Sequence, residues 1–292
     1  MRFEDRESGL VVGVDGSTAS DAAVSWTARE AALHSLPIEL LHAVAPTLAD
    51  STHGGVNQRQ IDRAEDIIRR AHQVVKAVAG NAMPVTHSRV QYARVVPTLL
   101  QASESAHLIV IGRRAPDDTH RHRVGSVNFG LVPHAHCPVA VVNEAETGEQ
   151  RMTAGAPVLV GIDGSPASEA AIAWAFEEAS RRCAPLLALH AWSDVGVFPM
   201  LGMDWRTNRD QGWEVLGERL AGWHEQYPDV QVRRHLVADV PARWLVKESK
   251  GAQLVVVGSR GRGGTGLRLG SVSSTVARCA QAPAVVVGGK QR

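Results

Sequence analysis

The sequence predicts an α/β protein made of two tandem, doubly wound domains, each built on a five-stranded parallel sheet. Three observations predict it. The chain repeats itself once, in order, at an offset of 145 to 148 residues. Within each repeat, short β-branched runs are almost continuously apolar, as strands buried on both faces are. Between those runs lie longer segments with apolar residues at helical spacing, which read as crossover helices.

The repeat is legible piece by piece. VVGVDGSTAS at Val11–Ser20 returns as LVGIDGSPAS at Leu159–Ser168, and IELLHAV at Ile38–Val44 returns as LLALHAW at Leu186–Trp192. AHLIVIGRR at Ala106–Arg114 returns as AQLVVVGSR at Ala252–Arg260, VGSV at Val124–Val127 as LGSV at Leu269–Val272, and CPVAVV as APAVVV. A period this long indicates duplicated domains, since solenoid repeats run to about 20–50 residues. The expected division is residues 1–145 and 155–292, joined by a polar linker at 146–154.

In the first repeat the expected strands are Gly9–Asp15, Pro37–Val44, Pro84–Gln91, His107–Gly112 and Pro138–Val142. Ser20–Ser35 places Ala22, Ala23, Trp26 and Leu33 near one helical face. Gln60–Gly80 does the same with Ile61, Ile68, Val75 and Val78, and Gly80 stops it. Five strands and four helices per repeat make a small, Rossmann-like domain. In such sheets ligands bind beyond the carboxyl ends of the strands, where strand order reverses.

Composition bounds the partners. The chain has 292 residues, 44% hydrophobic and 21% charged, with a formal charge of +1. That charge supplies no long-range field for nucleic acid or an anionic membrane, so neither is expected as a partner. Cys137, Cys183 and Cys279 lie far apart with no CxxC, which favours reduced thiols. The start MRFEDRESGL is not apolar and no long apolar run occurs, so a cytoplasmic location is expected.

The stretch Gly258–Ser271, GSRGRGGTGLRLGS, holds six glycines in fourteen residues directly after the apolar run LVVV. It contains a literal GxGxxG at Gly261, Gly263 and Gly266, but in the wrong place for a dinucleotide fingerprint. That fingerprint follows a first strand and precedes an acidic residue by about 20 positions. No GxxxxGK[ST] is present either. Glycines after a strand let backbone N–H groups face inward, and the helix opening at GSVSSTVARCA offers unsatisfied N–H groups to an anion. Ser271 is placed as N-cap or phosphate donor, and Arg260 and Arg262 can neutralise charge. The alternative is a flexible linker before a capped helix.

With its first-strand VGIDGS, its glycine loop and its GSV helix start, the sequence resembles the universal stress protein family in its tandem, actinobacterial-type form. The loop Gly258-x-x-Gly261 is followed by eight residues before Gly270-Ser271, one fewer than the family pattern. The resemblance implies an adenine nucleotide alpha hydrolase-like fold and a site for adenine nucleotide, usually ATP. It assigns Gly161 and Asp163 to base or ribose, Ala191 to the adenine slot and Asp194 to the ribose hydroxyls. It assigns Gly258, Ser259, Arg260, Gly261, Arg262, Gly263, Gly264, Gly270, Ser271, Val272 and Ser273 to the phosphates. On that assignment Gly261 substitutions should spare AMP, and Asp163 with Asp194 could hold Mg²⁺. For Asp163 the alternative is an N-cap or turn residue.

In the first repeat Gly13, Asp15 and Ala43 persist, as do Gly112, Arg114, Gly125, Ser126 and Val127, while Arg113 stands where Ser259 would be; all of these are assigned to the first site. Ala115 replaces the second glycine, Asp117 and Asp118 follow it, and Pro46 stands where Asp194 would be. Nucleotide is therefore expected more strongly in the second domain than in the first.

The remaining motifs read blandly. HAHC at His134–Cys137 tempts a metal reading but precedes a core strand, and His42 and His190 read as packed or hydrogen-bonded residues. Trp26 and Trp174 read as core. Trp192–Asn208 is either a lid over the second pocket or an ordinary packed loop. No nucleophile–base pair is identifiable, so the expectation is a nucleotide-binding regulatory protein, as a homodimer, without catalysis. A slow ATPase, or an interaction module with a vestigial first site, are the alternatives.

Overall fold

The computed structural model describes residues 8–45, 57–80, 82–114, 126–144, 155–191, 205–261 and 269–288. The chain divides into two compact units, Met1–Gly148 and Glu149–Arg292. The first unit runs β1 (Ser8–Gly13), α1 (Thr18–His34), β2 (Ile38–Ala43), α2 (Gln58–Ala79), β3 (Thr86–Gln91), α3 (Val95–Ser103), β4 (Ala106–Arg113), α4 (Ser126–Leu131) and β5 (Val139–Asn143). Its strands are all parallel and lie in the order β3-β2-β1-β4-β5. Leu10 stands in register with Ile38 on one side and Leu108 on the other.

The second unit runs β6 (Val158–Ile162), α5 (Pro166–Arg181), β7 (Leu186–Ala191), α6 (Trp205–Leu220), α7 (Trp223–Gln226), β8 (Val232–Val237), α8 (Pro241–Glu248), a 3₁₀ turn (Ser249–Gly251), β9 (Leu254–Gly258), α9 (Ser271–Cys279) and β10 (Ala284–Val287). Its order, β8-β7-β6-β9-β10, is the same and again parallel. Both units are therefore doubly wound, with the order reversing at β1/β4 and at β6/β9.

The central strands are the core. Leu10, Val12, Leu40, Ile109 and Val110 are wholly buried, as are Val158, Leu159, Val160, Val255 and Val256. β3 (THSRVQ) and β8 (VRRHLV) carry charge instead, and Arg89 pairs with Glu39 at 2.6 Å. Charge on such strands discourages further pairing of their backbones.

Two expectations are corrected. On α2 the deepest residues are Ala64, Ala71 and Val75, while Ile61 and Ile68 are half-buried and Val78 is exposed. α2 packs on α1 and on the edge of the sheet at β2 and β3, and two of its three buried positions are alanine. The second unit also has more than four helices. The chain is helical from Trp205, within the stretch read as a lid or loop to Asn208; residues 192–204 of that stretch lie outside the described residues. α7 is the added turn, held by stacking of Trp223 on Phe176 at 5.2 Å between ring centroids.

Trp26 and Trp174 are buried core residues as expected, and no disulfide joins Cys137, Cys183 or Cys279 among the described residues. No helix among the described residues is long and apolar enough to cross a membrane.

Candidate functional site

Each unit builds the same corner at the carboxyl ends of its central strands. In the first unit Gly13, Asp15, Ala43, Gly112 and Val127 converge on a cavity of about 110 Å³. Its walls are Leu41, Val95, Leu99 and Ile111, with Ser17 and Ser20 at the turn into α1. These residues come from β1, β2, α3, β4 and α4, so the cavity sits where the strand order reverses.

The second unit repeats the packing. A Cβ placed on Gly13 would meet Leu99 and Ile111 at 3.6 Å, and one on Gly161 would meet Leu245 at 3.1 Å and Val257 at 3.4 Å. Ala191 closes β7 and is buried, in register with Val237.

The aspartate turn is shaped by two serines. Ser17 and Ser165 are the N-caps of α1 and α5, accepting from the backbone N–H of Ser20 and Ser168. Asp163 is therefore a turn residue and not the cap: its Oδ1 accepts the Ser165 N–H at 2.9 Å. Asp15 does the same for Ser17 at 2.9 Å. The hydroxyls then diverge. Ser17 donates to Asp15 Oδ1 at 2.5 Å, whereas Ser165 donates to the Arg260 carbonyl at 3.1 Å and so ties the turn to the glycine loop. Desolvation would raise the Asp15 carboxyl, but donation from Ser17 and Ser20, with the nearby charge of Arg114, holds it below its ordinary value.

The loop glycines have different reasons to be glycine. A Cβ on Gly258 would lie 2.7 Å from the Ala167 carbonyl carbon and 2.9 Å from the Ser168 nitrogen. One on Gly112 would lie 2.2 Å from the Ala19 carbonyl oxygen. Both glycines exist to let a helix start against a strand end. Gly261 is different: a Cβ there would lie 2.7 Å from Asp163 Oδ2, so backbone and carboxylate are in direct apposition. The expectation that Gly261 concerns the phosphates alone is revised, because its substitution displaces the aspartate as well.

Gly270, not Ser271, is the N-cap of α9, with extended backbone and no side chain to cap it. Ser271 is the first helical residue and is exposed. Val272 is half-buried, and the buried Ser273 donates to the Gly258 carbonyl. Ser259 receives the Gly270 N–H on its carbonyl at 2.9 Å, while its buried hydroxyl has no partner among the described residues. Arg260 and Arg113 are half-buried and Arg114 is exposed. Asp194, Arg262, Gly263, Gly264 and Gly125 lie outside the described residues, as does the side chain of Ser126 at the start of α4.

His42 and His190 are buried and bonded as expected. Their Nδ1 atoms lie 2.6 Å from the Val14 carbonyl and 2.7 Å from that of Ile162. A carbonyl only accepts, so Nδ1 carries the proton. In HAHC, His134 and His136 are exposed and Cys137 is buried. The sequence reading missed Leu99, Leu245 and the two capping serines; the serines were visible in the repeated DGSxAS.

The sequence profile of the Universal stress protein family matches residues 9–143 and 156–288. A universal stress protein of Mycobacterium tuberculosis (strain CDC 1551 / Oshkosh) is 47% identical over 284 residues, covering 95% of each chain. One from Mycolicibacterium smegmatis is 45% identical over 289 residues, covering 96% of this chain and 97% of its own. Among solved structures, a universal stress protein from Archaeoglobus fulgidus DSM 4304 superposes with a TM-score of 0.72 at 19% identity. That match covers 98% of this chain and all (100%) of the other, and is a likeness of fold.

Proposed function

Since this chain belongs to the universal stress protein family, we propose that it is an adenine-nucleotide-binding regulatory protein whose second unit takes ATP. The observation that carries the reading is the apposition of the Gly261 backbone and the Asp163 carboxylate beside the uncapped start of α9. In this reading the base enters between Gly161 and Ala191. Asp163 Oδ2 accepts from the ribose, and the loop from Gly258 closes on the phosphates.

The donor set fits a polyphosphate. Uncapped N–H groups and the dipole of α9 favour an anion. The Ser259 hydroxyl, without a partner among the described residues, and Arg260 lie in the strand-to-loop stretch that leads there, and Mg²⁺ would accompany the phosphates. Because Ser165 ties the aspartate turn to Arg260, ribose and phosphate contacts move together, which makes occupancy a signal. The reading includes a cytoplasmic homodimer, to be checked by light scattering and fractionation.

The experiment is mass spectrometry of nucleotide released from the purified protein, followed by calorimetric titration with ATP and a turnover assay. The expected result is adenine nucleotide in the eluate, tight ATP binding and no turnover. Absence of adenine-nucleotide binding by folded protein would overturn the reading, and phosphate release at a steady rate would make it an ATPase.

A further inference from the structure

Two helices of the second unit carry opposite charge on their outer sides, and neither stripe is fully neutralised among the described residues. On α6 the buried line is Gly212, Leu216 and Leu220. Asp210, Glu214 and Glu218 each lie two residues before it, so they share the opposite side of the helix, and all three are exposed. On α8 Ala242 and Leu245 are buried, while Arg243, Lys247 and, in the 3₁₀ turn that follows, Lys250 are exposed. Like charges four residues apart oppose helix formation, so each stripe weakens its own helix. Asp210 has Arg209 at 3.7 Å and Arg243 has Asp239 at 3.5 Å. Glu214, Glu218, Lys247 and Lys250 have no ion pair among the described residues. The matching helices of the first unit differ. α2 pairs outer charges along itself or across to α1, Arg69 with Asp66 and Arg70 with Asp21, and α3 (VVPTLLQAS) has no charge to pair.

Each stripe is bordered by an exposed apolar group. Trp213 on α6 is 44% exposed and Val240, the N-cap of α8, is 42% exposed. Among the described residues they are the only large apolar side chains exposed in the second unit. The indole of Trp244 is not open in the same way. The Lys247 ammonium lies 4.1 Å from its centroid and His235 meets it edge-on at 5.5 Å, so it offers no free face for a nucleic-acid base to stack on. The unit instead presents two faces complementary to each other in charge, each with one apolar group beside it.

We infer that the occupant of these faces is a second copy of this chain, the acidic side of α6 in one copy seating on the basic side of α8 in the next. α6 joins β7 to β8 and packs on both, whereas α8 leads from β8 back over β7 and β6 to β9. Right-handed crossovers that run in opposite directions along one sheet lie on its opposite faces. One copy therefore gives α6 on one side and α8 on the other, so the contact is heterologous and passes on to a third copy. It needs no nucleotide and is additional to the homodimer of the proposed function. Exposed ion pairs are individually weak and screened by salt, so the assembly forms reversibly at high protein concentration.

The test is sedimentation velocity on the full chain over a wide range of concentration, at about 0.1 M and about 1 M sodium chloride, where the screening length falls from about 10 Å to about 3 Å. The expected result is a weight-average mass that at least doubles across the range in low salt and stays flat in high salt. Glu214→Lys with Glu218→Lys, and separately Lys247→Glu with Lys250→Glu, should each hold the mass flat in low salt, because both faces then carry one sign. An equimolar mixture of the two variants should regain the concentration dependence, since each α6 finds an α8 of opposite sign only in the other variant. Should Lys247→Glu disturb the Trp244 ring beneath it, as circular dichroism would report, Arg243→Glu with Lys250→Glu makes the same reversal. A wild-type mass independent of concentration would overturn the inference, as would a mixture that stays flat or a variant that associates like the wild type. The flat mass reads the homodimer separately: a single-chain value there overturns the dimer of the proposed function and leaves this contact standing.

Discussion

Replacing Gly258 by alanine should damage the fold before it damages any ligand contact. The new Cβ would stand 2.7, 2.8 and 2.9 Å from the Ala167 carbonyl carbon, the Ala167 oxygen and the Ser168 nitrogen. Unbonded carbon atoms sit at about 3.5–4.0 Å, so β9 and the first turn of α5 must part by roughly 1 Å. All three atoms are backbone, and no rotamer change relieves them. Overpacking of this kind costs about 1–3 kcal/mol. Gly112→Ala overlaps more, at 2.2 Å and 2.4 Å from the Ala19 carbonyl, and should fall at the upper end. Neither glycine is at positive φ, so the cost is steric. Gly270→Ala is the control without overlap: its Cβ would find nothing nearer than 3.5 Å, and it should cost no more than the roughly 1 kcal/mol by which alanine is disfavoured at an N-cap. Urea denaturation followed by circular dichroism gives the midpoints, and hydrogen exchange locates the loss in one unit or the other. Wild-type midpoints for both Gly112→Ala and Gly258→Ala would refute the reasoning, as would equal damage from Gly270→Ala.

Gly261→Ala should leave the urea midpoint near wild type, because the clashing atom is the mobile end of Asp163. It should weaken ATP and AMP alike, by about ten- to a hundredfold for one lost charge-assisted hydrogen bond of roughly 1.5–3 kcal/mol; calorimetry with both ligands checks it. Asp15 has its carboxyl held below its ordinary value, so its contribution to stability is present at neutral pH and disappears as pH falls through the native value. Asp15→Asn should therefore flatten the first unit's acid-side stability profile below about pH 4, read by denaturation midpoints across that range. His190→Phe leaves the Ile162 carbonyl without its ring donor and should cost about 1–3 kcal/mol, measured by urea denaturation.

The architecture was legible because the central strands are apolar on both faces, from Leu10 to Val12 and from Val158 to Val160, and because the whole pattern occurs twice. The packing face of α2 was not. Ala64 and Ala71 carry little hydrophobic weight in a sequence, yet they hold two of the helix's three buried positions. The site was legible where the residues belong to strand ends, at Gly13, Asp15 and Ala43. It was illegible where a wall comes from a helix distant in sequence, as with Leu99 and Leu245. Glycine itself is ambiguous on paper. Nothing in GSRG says that Gly258 answers to Ala167 and Gly261 to Asp163.

The buried histidines offer a way to watch the corners in solution. With Nδ1 committed to the carbonyls of Val14 and Ile162, each ring is locked in one tautomer, and its ¹⁵N chemical shifts differ from those of a histidine exchanging between forms. Those carbonyls belong to the residues immediately before Asp15 and Asp163. A ligand drawing either aspartate turn inward would strain the adjacent bond and move one ring's resonances while leaving its duplicate still. Two-dimensional spectra of ¹⁵N-histidine-labelled protein would thus count occupied corners separately, with no probe attached to either.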